Sequence, residues 1–371
     1  MSDLSDIDDF RLMARAIQLA KKGLYSTHPN PRVGCVIARN NEIVGEGWHQ
    51  KSGQAHAEIN ALNDAAGQAK NSVAYVTLEP CCHFGKTPPC ADALINAGVS
   101  RVVVAMQDPN PLVAGKGIAR LRDAGIEVID GVLDQEAKLL NPGFIKRMST
   151  GLPYVRCKLA MGLDGRTAMA SGESKWITGD QARRDVHCLR AQSSVVMTGI
   201  GTVLADDPFM TVRIEKDYFI LNEVPEPLRV ILDSSLRTPI DAKIFNQPGK
   251  VIIFTSTENN DYFDSFDVKK VSFCVLPEID GGLDLQAVLI HLAKLEVNEI
   301  LLEAGATLCG SMLKMGLLDE IVIYMAPHVM GANARGLFNL PAIDKMSDRI
   351  KLKYQDVRQV GDDLKITLQA G

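Results

Sequence analysis

Apolar residues recur along this chain with two alternating periods, one helical and one extended. Over residues 8–23, Phe10, Met13, Ala14, Ile17 and Ala20 share one helical face. Asp8 and Asp9 stand at its start, Lys21 and Lys22 at its end, and Gly23 follows, an arrangement that suits the helix dipole and a glycine cap. Two strand-like runs come next, residues 33–38 and 42–48, and Asn40 with Asn41 between them predicts a hairpin. A helix is expected to open near His56. Residues 73–78 and 102–106 then read as buried strands joined by a helix over 91–97, followed by a helix over 117–124, a strand over 126–129 and a helix from about 135 to 140. Helix following strand in this way predicts a layered α/β domain ending near Arg147.

Residues 148–153 are small, polar and turn-forming, and read as a linker. Beyond them, strand-like runs at 154–160, 194–197, 229–232, 251–254, 299–302 and 320–324 alternate with helices near 180–191 and 285–295, and late strands are expected between 351 and 369. The second half is again α/β. Residues 214–227 show no period and read as a surface loop. There is no internal repeat.

Length agrees with this division, since 371 residues exceed one ordinary core and suffice for two. Hydrophobic residues at 46% and charged residues at 23% are those of a folded globular chain. The longest apolar runs are strand-sized, well short of the roughly 20 residues of a membrane span. The acidic N-terminus lacks the basic and apolar regions of an export signal, and a cytoplasmic location is expected. Residues 1–147 carry sixteen Lys/Arg and sixteen Asp/Glu, so the formal charge of -5 comes wholly from the rest. Neither half has the basic excess of a nucleic-acid binder. Of eight cysteines, Cys81, Cys82 and Cys90 crowd together while Cys35, Cys157, Cys188, Cys274 and Cys309 lie singly in apolar surroundings. That distribution suits a reducing compartment and one metal site.

His56 and Glu58, then Pro80 and Cys81, then Cys90, form the H-x-E and P-C…C pattern of zinc nucleobase deaminases. One imidazole and two thiolates fill three corners of a zinc tetrahedron and leave the fourth for water. Zinc brings the pKa of that water to about 7, and Glu58, two residues from His56, is placed to shuttle its proton without binding the metal. A closed zinc knob or three merely buried cysteines is the bland alternative. Cys82 competes with Cys81 as a ligand.

These residues resemble the cytidine deaminase superfamily, except that eight residues separate the two cysteines instead of two. With that insert, the chain is similar over nearly its whole length to the bifunctional riboflavin-biosynthesis deaminase/reductase family. The shared segments include residues 28–34, 45–49, 106–111, 158–167 and 303–305. Cys82 stands where that family usually has serine. The resemblance implies a cytidine-deaminase-like three-layer α/β/α domain over residues 1–147 and a dihydrofolate-reductase-like α/β domain over 148–371. It implies zinc-dependent removal of the 2-amino group of 2,5-diamino-6-ribosylamino-4(3H)-pyrimidinone 5′-phosphate, then NADPH-dependent reduction of the ribosyl to the ribityl chain. The implied partners are a small phosphorylated pyrimidine and further copies of the chain in a dimer or tetramer, with no nucleic acid and no membrane.

Carried over by position, Asn30, His49, His83 and Lys86 would bind the deaminase substrate. Ser174, Arg190, Met210, Arg213 and Glu303 would bind the reductase substrate. Ala160, Trp176, Thr202, Asp206, Ser234, Gly305, Ala306, Thr307, Leu308, Cys309, Gly310 and Ser311 would meet the nucleotide. Lys158 and Asp206 would hold or protonate the opening sugar. Chemically, Arg190 and Arg213 can fork onto a phosphate, and the glycine turn at 305 opens a helix whose free N–H groups can cradle one. The bland readings are turn-shaping for Asn30, strand-end packing for His49, solvated surface positions for the arginines and a simple turn at 305. An RNA-editing adenosine deaminase, a zinc-stabilised binding module, and a deaminase with an inactive second half are the competing functions. The balanced charge and the long second half count against the first.

Overall fold

The computed structural model describes residues 2–82, 89–111, 113–214, 224–279 and 281–370, with side chains from residue 7 onward. The chain divides into two compact units, Met1–Gly151 and Leu152–Gly371.

The first unit runs α1 (Ser2–Lys21), β1 (Gly34–Arg39), β2 (Glu42–Trp48), α2 (Ala57–Asp64), β3 (Val73–Val76), α3 (Cys90–Asn96), β4 (Arg101–Val104), α4 (Lys116–Asp123), β5 (Glu127–Asp130), α5 (Asp134–Leu140) and α6 (Pro142–Thr150). Its five strands lie in the order β2-β1-β3-β4-β5, with β1 antiparallel to both neighbours and β3, β4 and β5 parallel. Asn40 and Asn41 both take positive φ, 56° and 63°, as a two-residue I′ hairpin requires. Strand residues alternate between two cores. Val36, Ala38 and Val103 face α1, α5 and α6 through Leu12, Ala137 and Phe144. Cys35, Ile37 and Val102 face α2, α3 and α4 through Ala61, Leu94 and Leu121. Three layers result. The residues expected to form a linker begin inside α6, because Met148, Ser149 and Thr150 complete its last turn; the hydroxyls of Ser149 and Thr150 bond carbonyls within it, and Gly151 ends it at φ 74°.

The second unit contains β6 (Tyr154–Gly162), β7 (Arg166–Ala168), α7 (Asp180–Gln192), β8 (Val195–Gly199), α8 (Ile200–Asp206), β9 (Leu228–Leu232), β10 (Val251–Thr255), α9 (Asn260–Asp264), β11 (Val271–Val275), β12 (Glu278–Ile279), β13 (Gly282–Leu283), α10 (Leu285–Lys294), β14 (Glu299–Leu302), α11 (Ala306–Lys314), β15 (Glu320–Ala326), β16 (Arg335–Gly336), β17 (Leu352–Val360) and β18 (Asp363–Ala370). Nine strands form one sheet in the order β11-β10-β9-β8-β14-β6-β15-β18-β17, parallel from β11 through β15 and antiparallel at β18 and β17. Central strands such as β10 and β14 are apolar on both faces because helices cover both. Val288, Leu292 and Met312 of α10 and α11 pack on one face. Val186 and Leu189 of α7 pack on the other against Leu301 and Tyr324, and Val203 of α8 against Val196 and Ile231. Most of the loop expected at 214–227 lies outside the described residues.

The layers of the first unit close around Gly34, where an added Cβ would stand 2.0 Å from the carbonyl oxygen of Ala16 in α1. Gly34→Ala is therefore expected to destabilise the first unit by about 1–3 kcal/mol in urea unfolding, since backbone cannot yield as a side-chain tip can. An unchanged midpoint would contradict this contact.

Candidate active sites

In the first unit, three donors converge from two helix starts and one strand end. His56 is the N-cap residue of α2, Cys90 is the first residue of α3, and Cys81 follows β3. His56 Nδ1 lies 3.2 Å from Cys90 Sγ and 3.7 Å from Cys81 Sγ, and all three donor atoms fall within 4.8 Å of one another. Zinc–nitrogen and zinc–sulfur bonds of about 2.0 and 2.3 Å at tetrahedral angles imply N···S separations of about 3.5 Å, so this donor set fits zinc. Among the described residues the group is His56, Cys81 and Cys90; Cys82, adjacent in sequence, lies outside it.

The surroundings favour an ionised Cys81 and a protonatable carboxylate at Glu58. Hydrogen bonds from Cys90, including its backbone N–H at 3.3 Å, and from His56 bring the Cys81 thiol down to about 4. His56 is raised, chiefly by its bond to Cys81. Glu58, in the first turn of α2 and 3% exposed, is pushed up to about 7 by burial and by the negative charge of Cys81. A carboxyl near neutrality can accept a proton and give it back.

Asn30 and His49 meet beside this cluster. The carbonyl of Ala55 lies 3.1 Å from His49 Nδ1 and can only accept, so the proton sits on Nδ1. His49 Nε2 then accepts from Asn30 Nδ2 at 3.1 Å, which turns the Asn30 carbonyl oxygen away from the ring. The His49 and His56 rings meet edge to face at 5.4 Å. Burial lowers the pKa of His49 and keeps it neutral. His83 and Lys86 lie outside the described residues.

Sequence reasoning missed the role of Glu79. Its buried carboxylate accepts four backbone N–H bonds, from Asp108 (3.1 Å), Gly115 (2.9 Å), Gly117 (2.8 Å) and Ile118 (3.1 Å). A carboxylate at the start of α4 is favoured by the helix dipole, and Gly117 passes so close to Pro80 that a Cβ would stand 2.0 Å from its carbonyl oxygen. Together these contacts hold the Glu79–Pro80–Cys81 step. The available signal was an acid directly before Pro80 at a strand end.

In the second unit the candidate residues gather at the carboxyl ends of adjacent parallel strands, where α/β sheets bind ligands. Ala160 and Lys158 lie on β6, Ser234 follows β9, and Glu303 with Gly305 follows β14. Between β8 and β14 the following helices, α8 and α11, pass to opposite faces, which is a topological switch point. Gly305 caps α11, and nothing lies within 4 Å of where its Cβ would stand. The amides of Ala306, Thr307 and Leu308 have no partner within the helix and are available to a phosphate.

The rest of the glycine segment does other work. Cys309 is fully buried and its amide bonds the Gly305 carbonyl at 3.2 Å. At Gly310 a Cβ would stand 2.4 Å from the Asn339 carbonyl oxygen, so this glycine serves close packing. The Ser311 hydroxyl bonds back to the Thr307 carbonyl at 3.0 Å. Within the segment expected to meet the nucleotide, the amides without a helix partner are those that precede Cys309. Met210, at φ 57° and 3% exposed, packs among Val196, Val203 and Ile231, which leaves its backbone as the part able to reach a ligand.

Arg190 does not present a free fork. Its Nε and Nη2 hold the Glu303 carboxylate at 2.5 and 3.0 Å, and its Nη1 bonds the Thr211 carbonyl at 2.9 Å. Lys158 Nζ stands 3.8 Å from the same carboxylate. Burial opposes ionisation of Glu303, but Arg190 and Lys158 outweigh it and bring the group down to about 2. Arg213, the other arginine of the expected pair, has no carboxylate at ion-pair distance among the described residues, and its guanidinium carbon stands 5.6 Å from the centre of the Phe209 ring. Asp206 ends α8 and pairs with Lys175 at 3.4 Å, which ties the segment of Ser174 and Trp176 to the helix that carries Thr202. Trp176 is 69% exposed, with Arg183 stacked 4.5 Å from its ring centre.

An open His/Cys/Cys site with a buried glutamate, and a parallel sheet with phosphate-ready helix starts, define the class: a zinc deaminase joined to a nucleotide-dependent reductase. Comparison with known proteins agrees in both halves. Residues 7–106 match the family model for the cytidine and deoxycytidylate deaminase zinc-binding region, and residues 153–366 that for the RibD C-terminal domain. The riboflavin biosynthesis protein RibD of Escherichia coli (strain K12) is 49% identical over 364 residues, covering 96% of this chain and 98% of the relative. That of Haemophilus influenzae is 48% identical over 97% and 96%. Among solved structures, Acinetobacter baumannii RibD superposes with a TM-score of 0.91 at 47% identity over 99% of both chains. The Thermotoga maritima diaminohydroxyphosphoribosylaminopyrimidine deaminase/5-amino-6-(5-phosphoribosylamino)uracil reductase gives 0.87 at 33% identity, covering 99% of this chain and 100% of that one. The chain belongs to the RibD family, the bifunctional deaminase/reductases of riboflavin biosynthesis, which use zinc in the first domain and NADPH in the second.

The Glu303 cluster has a defined pH signature. A carboxylate depressed in the folded state adds stability that is complete above its unfolded pKa, about 4.3, and is lost as pH falls toward about 2. Glu303→Gln leaves Arg190 and Lys158 facing a neutral group, and is expected to destabilise the second unit at neutral pH by about 3–5 kcal/mol. Calorimetry from pH 7 to pH 2.5 checks both effects: the variant should lack the acid-dependent component of the parent.

Proposed function

We propose that the first domain hydrolyses the 2-amino group of 2,5-diamino-6-ribosylamino-4(3H)-pyrimidinone 5′-phosphate, and that the second reduces the ribosyl side chain of the resulting aminouracil to ribityl. The observation that carries the first step is the convergence of His56, Cys81 and Cys90 beside buried Glu58. His56, Cys81 and Cys90 would hold zinc, which when bound supplies a water ionised near pH 7 at the open fourth position. Glu58 takes a proton and returns it to the departing amine, a cycle suited to a carboxyl near 7. Asn30 offers its carbonyl oxygen, oriented by His49, to an N–H of the pyrimidine. Burial of His49 and Glu58 keeps bulk water from competing for these bonds.

For the second step, the amides of Ala306, Thr307 and Leu308 would hold a phosphate of the nucleotide, with Trp176 as a further nucleotide contact and Ser174 as a contact to the substrate. NADPH when bound supplies the hydride that reaches C1′ of the ring-opened sugar. Lys158, on β6 and 3.8 Å from the Glu303 carboxylate, is the candidate proton source on the substrate side. Arg213 receives the substrate phosphate, having no carboxylate at ion-pair distance among the described residues. Arg190 acts through Glu303 and Thr211 as a support for this site.

We also place the protein in the cytoplasm, because all eight cysteines are free thiols and the deaminase needs two of them ionised. No described helix is long and apolar enough to cross a membrane. The chain is read as a homo-oligomer through β17, an edge strand exposed along nearly its full length, with Tyr354 at 70% and Val357 at 54%. Long uncovered edge strands invite pairing with another copy.

Glu58→Gln is expected to lower ammonia release by about 10²–10⁴-fold while zinc content stays at one per chain. Chelation should abolish ammonia release yet leave NADPH oxidation intact when the deaminated substrate is supplied. NADPH oxidation that never occurs with that substrate would overturn the reductase assignment alone; ammonia release that survives zinc removal would overturn the deaminase mechanism. For the assembly, light scattering should give a multiple of the 40.4 kDa chain mass, falling to one in Val357→Asp. A monomeric parent would contradict the β17 reading.

A further inference from the structure

Helix α7 sends two side chains, one turn apart, onto the same short loop. Arg190, locked by the Glu303 fork, bonds the Thr211 carbonyl at 2.9 Å. His187, three residues earlier and so on the same face, accepts the backbone N–H of Arg213 on its Nδ1 at 3.2 Å. The two contacts seize the loop on either side of Val212. Val212 is itself held by its amide, which donates to Glu226 at 3.1 Å.

An imidazole can do this only while Nδ1 is unprotonated. Its surroundings enforce that form: burial first, then the positive charges of Arg190 and Arg213, opposed by Glu303, bring His187 down to about 4. Arg213 is affected in turn, its pKa lowered by burial and by Arg190. Its guanidinium carries charge that no described carboxylate neutralises. Holding two like charges near each other costs free energy that an incoming anion returns. Repulsion from Arg190 works to displace Arg213. The backbone bond from His187 prevents this without neutralising the guanidinium.

We propose that His187 is a positioning residue of the reductase site: by accepting the Arg213 amide it fixes the loop so that Arg213 meets the phosphate monoester of the substrate. This inference rests on the reading of Arg213 as the phosphate-binding residue. His187 acts in binding and not in hydride transfer, because its contact is to the Arg213 backbone and it lies on α7, not on β6 with Lys158 nor at the start of α11 with the nucleotide cradle.

Steady-state kinetics on the full-length enzyme, with the deaminated phosphorylated substrate and NADPH, test this. His187→Leu should raise KM for that substrate about tenfold with kcat changed less than twofold, the pattern of lost uniform binding. KM for NADPH and the rate of deamination should be unchanged. His187→Asn, whose side-chain oxygen can replace Nδ1 as acceptor, should recover most of the loss. Arg213→Met should raise KM for the substrate, and His187→Leu added to it should cost nothing further, because coupled residues are non-additive. If Arg213→Met raises KM and His187→Leu does not, the positioning role is wrong while the site reading stands. Equal falls in kcat, NADPH affinity and substrate affinity in His187→Leu would also overturn it, by assigning the residue to stability alone. If Arg213→Met leaves KM unchanged, the phosphate reading itself fails and the proposal falls with it.

Discussion

Three electron-rich donors held within 4.8 Å of one another are the constraint around which the first domain is organised. Two sulfurs and an imidazole nitrogen at that spacing are a donor set suited to a shared cation. Nothing in the hydrophobic cores requires such a cluster. It is imposed from outside, by α2 and α3 beginning at His56 and Cys90 and by Glu79 gathering four amides behind Cys81. Ligand positions are thus set by backbone on three sides. That is the preorganisation a metal site needs if one corner is to remain open for chemistry.

The second domain solves a related problem with different parts. β8 and β14 of its parallel sheet send their following helices to opposite faces, the kind of switch point at which α/β sheets bind ligands. The start of α11 there presents amides without helix partners, while an ionic cluster of Glu303, Arg190 and Lys158 ties α7 and β6 to the end of β14. The cluster is costly to desolvate and costly to break. Its placement under the loop of Arg213 indicates that it is kept for geometry.

Much of this was legible in the residues. Period and turn chemistry found α1, the Asn40–Asn41 hairpin and most strands, because each is specified by its own few residues. The last turn of α6 was read as the start of a linker, since Ser149 and Thr150 are weak helix formers whose hydroxyls are satisfied by carbonyls of the same helix. Short α8 went unseen because Ile200–Asp206 is too brief to show a period. Motif spacing marked His56, Glu58, Cys81 and Cys90. It could not show that Glu79 is a backbone anchor, that Arg190 is already occupied by Glu303, or that Gly310 serves Asn339, since each depends on a partner far along the chain. His187 was silent for the same reason, its partner being an amide 26 residues away.

The central claim is that three protein donors, two of them sulfur, hold the metal and leave one corner to solvent. X-ray absorption at the zinc edge on the full-length protein tests it most directly. The account predicts two sulfur scatterers at about 2.3 Å and two nitrogen or oxygen scatterers at about 2.0–2.1 Å, the latter from His56 and one water. Three sulfurs would contradict it, because Cys82 would then have closed the corner on which hydrolysis depends.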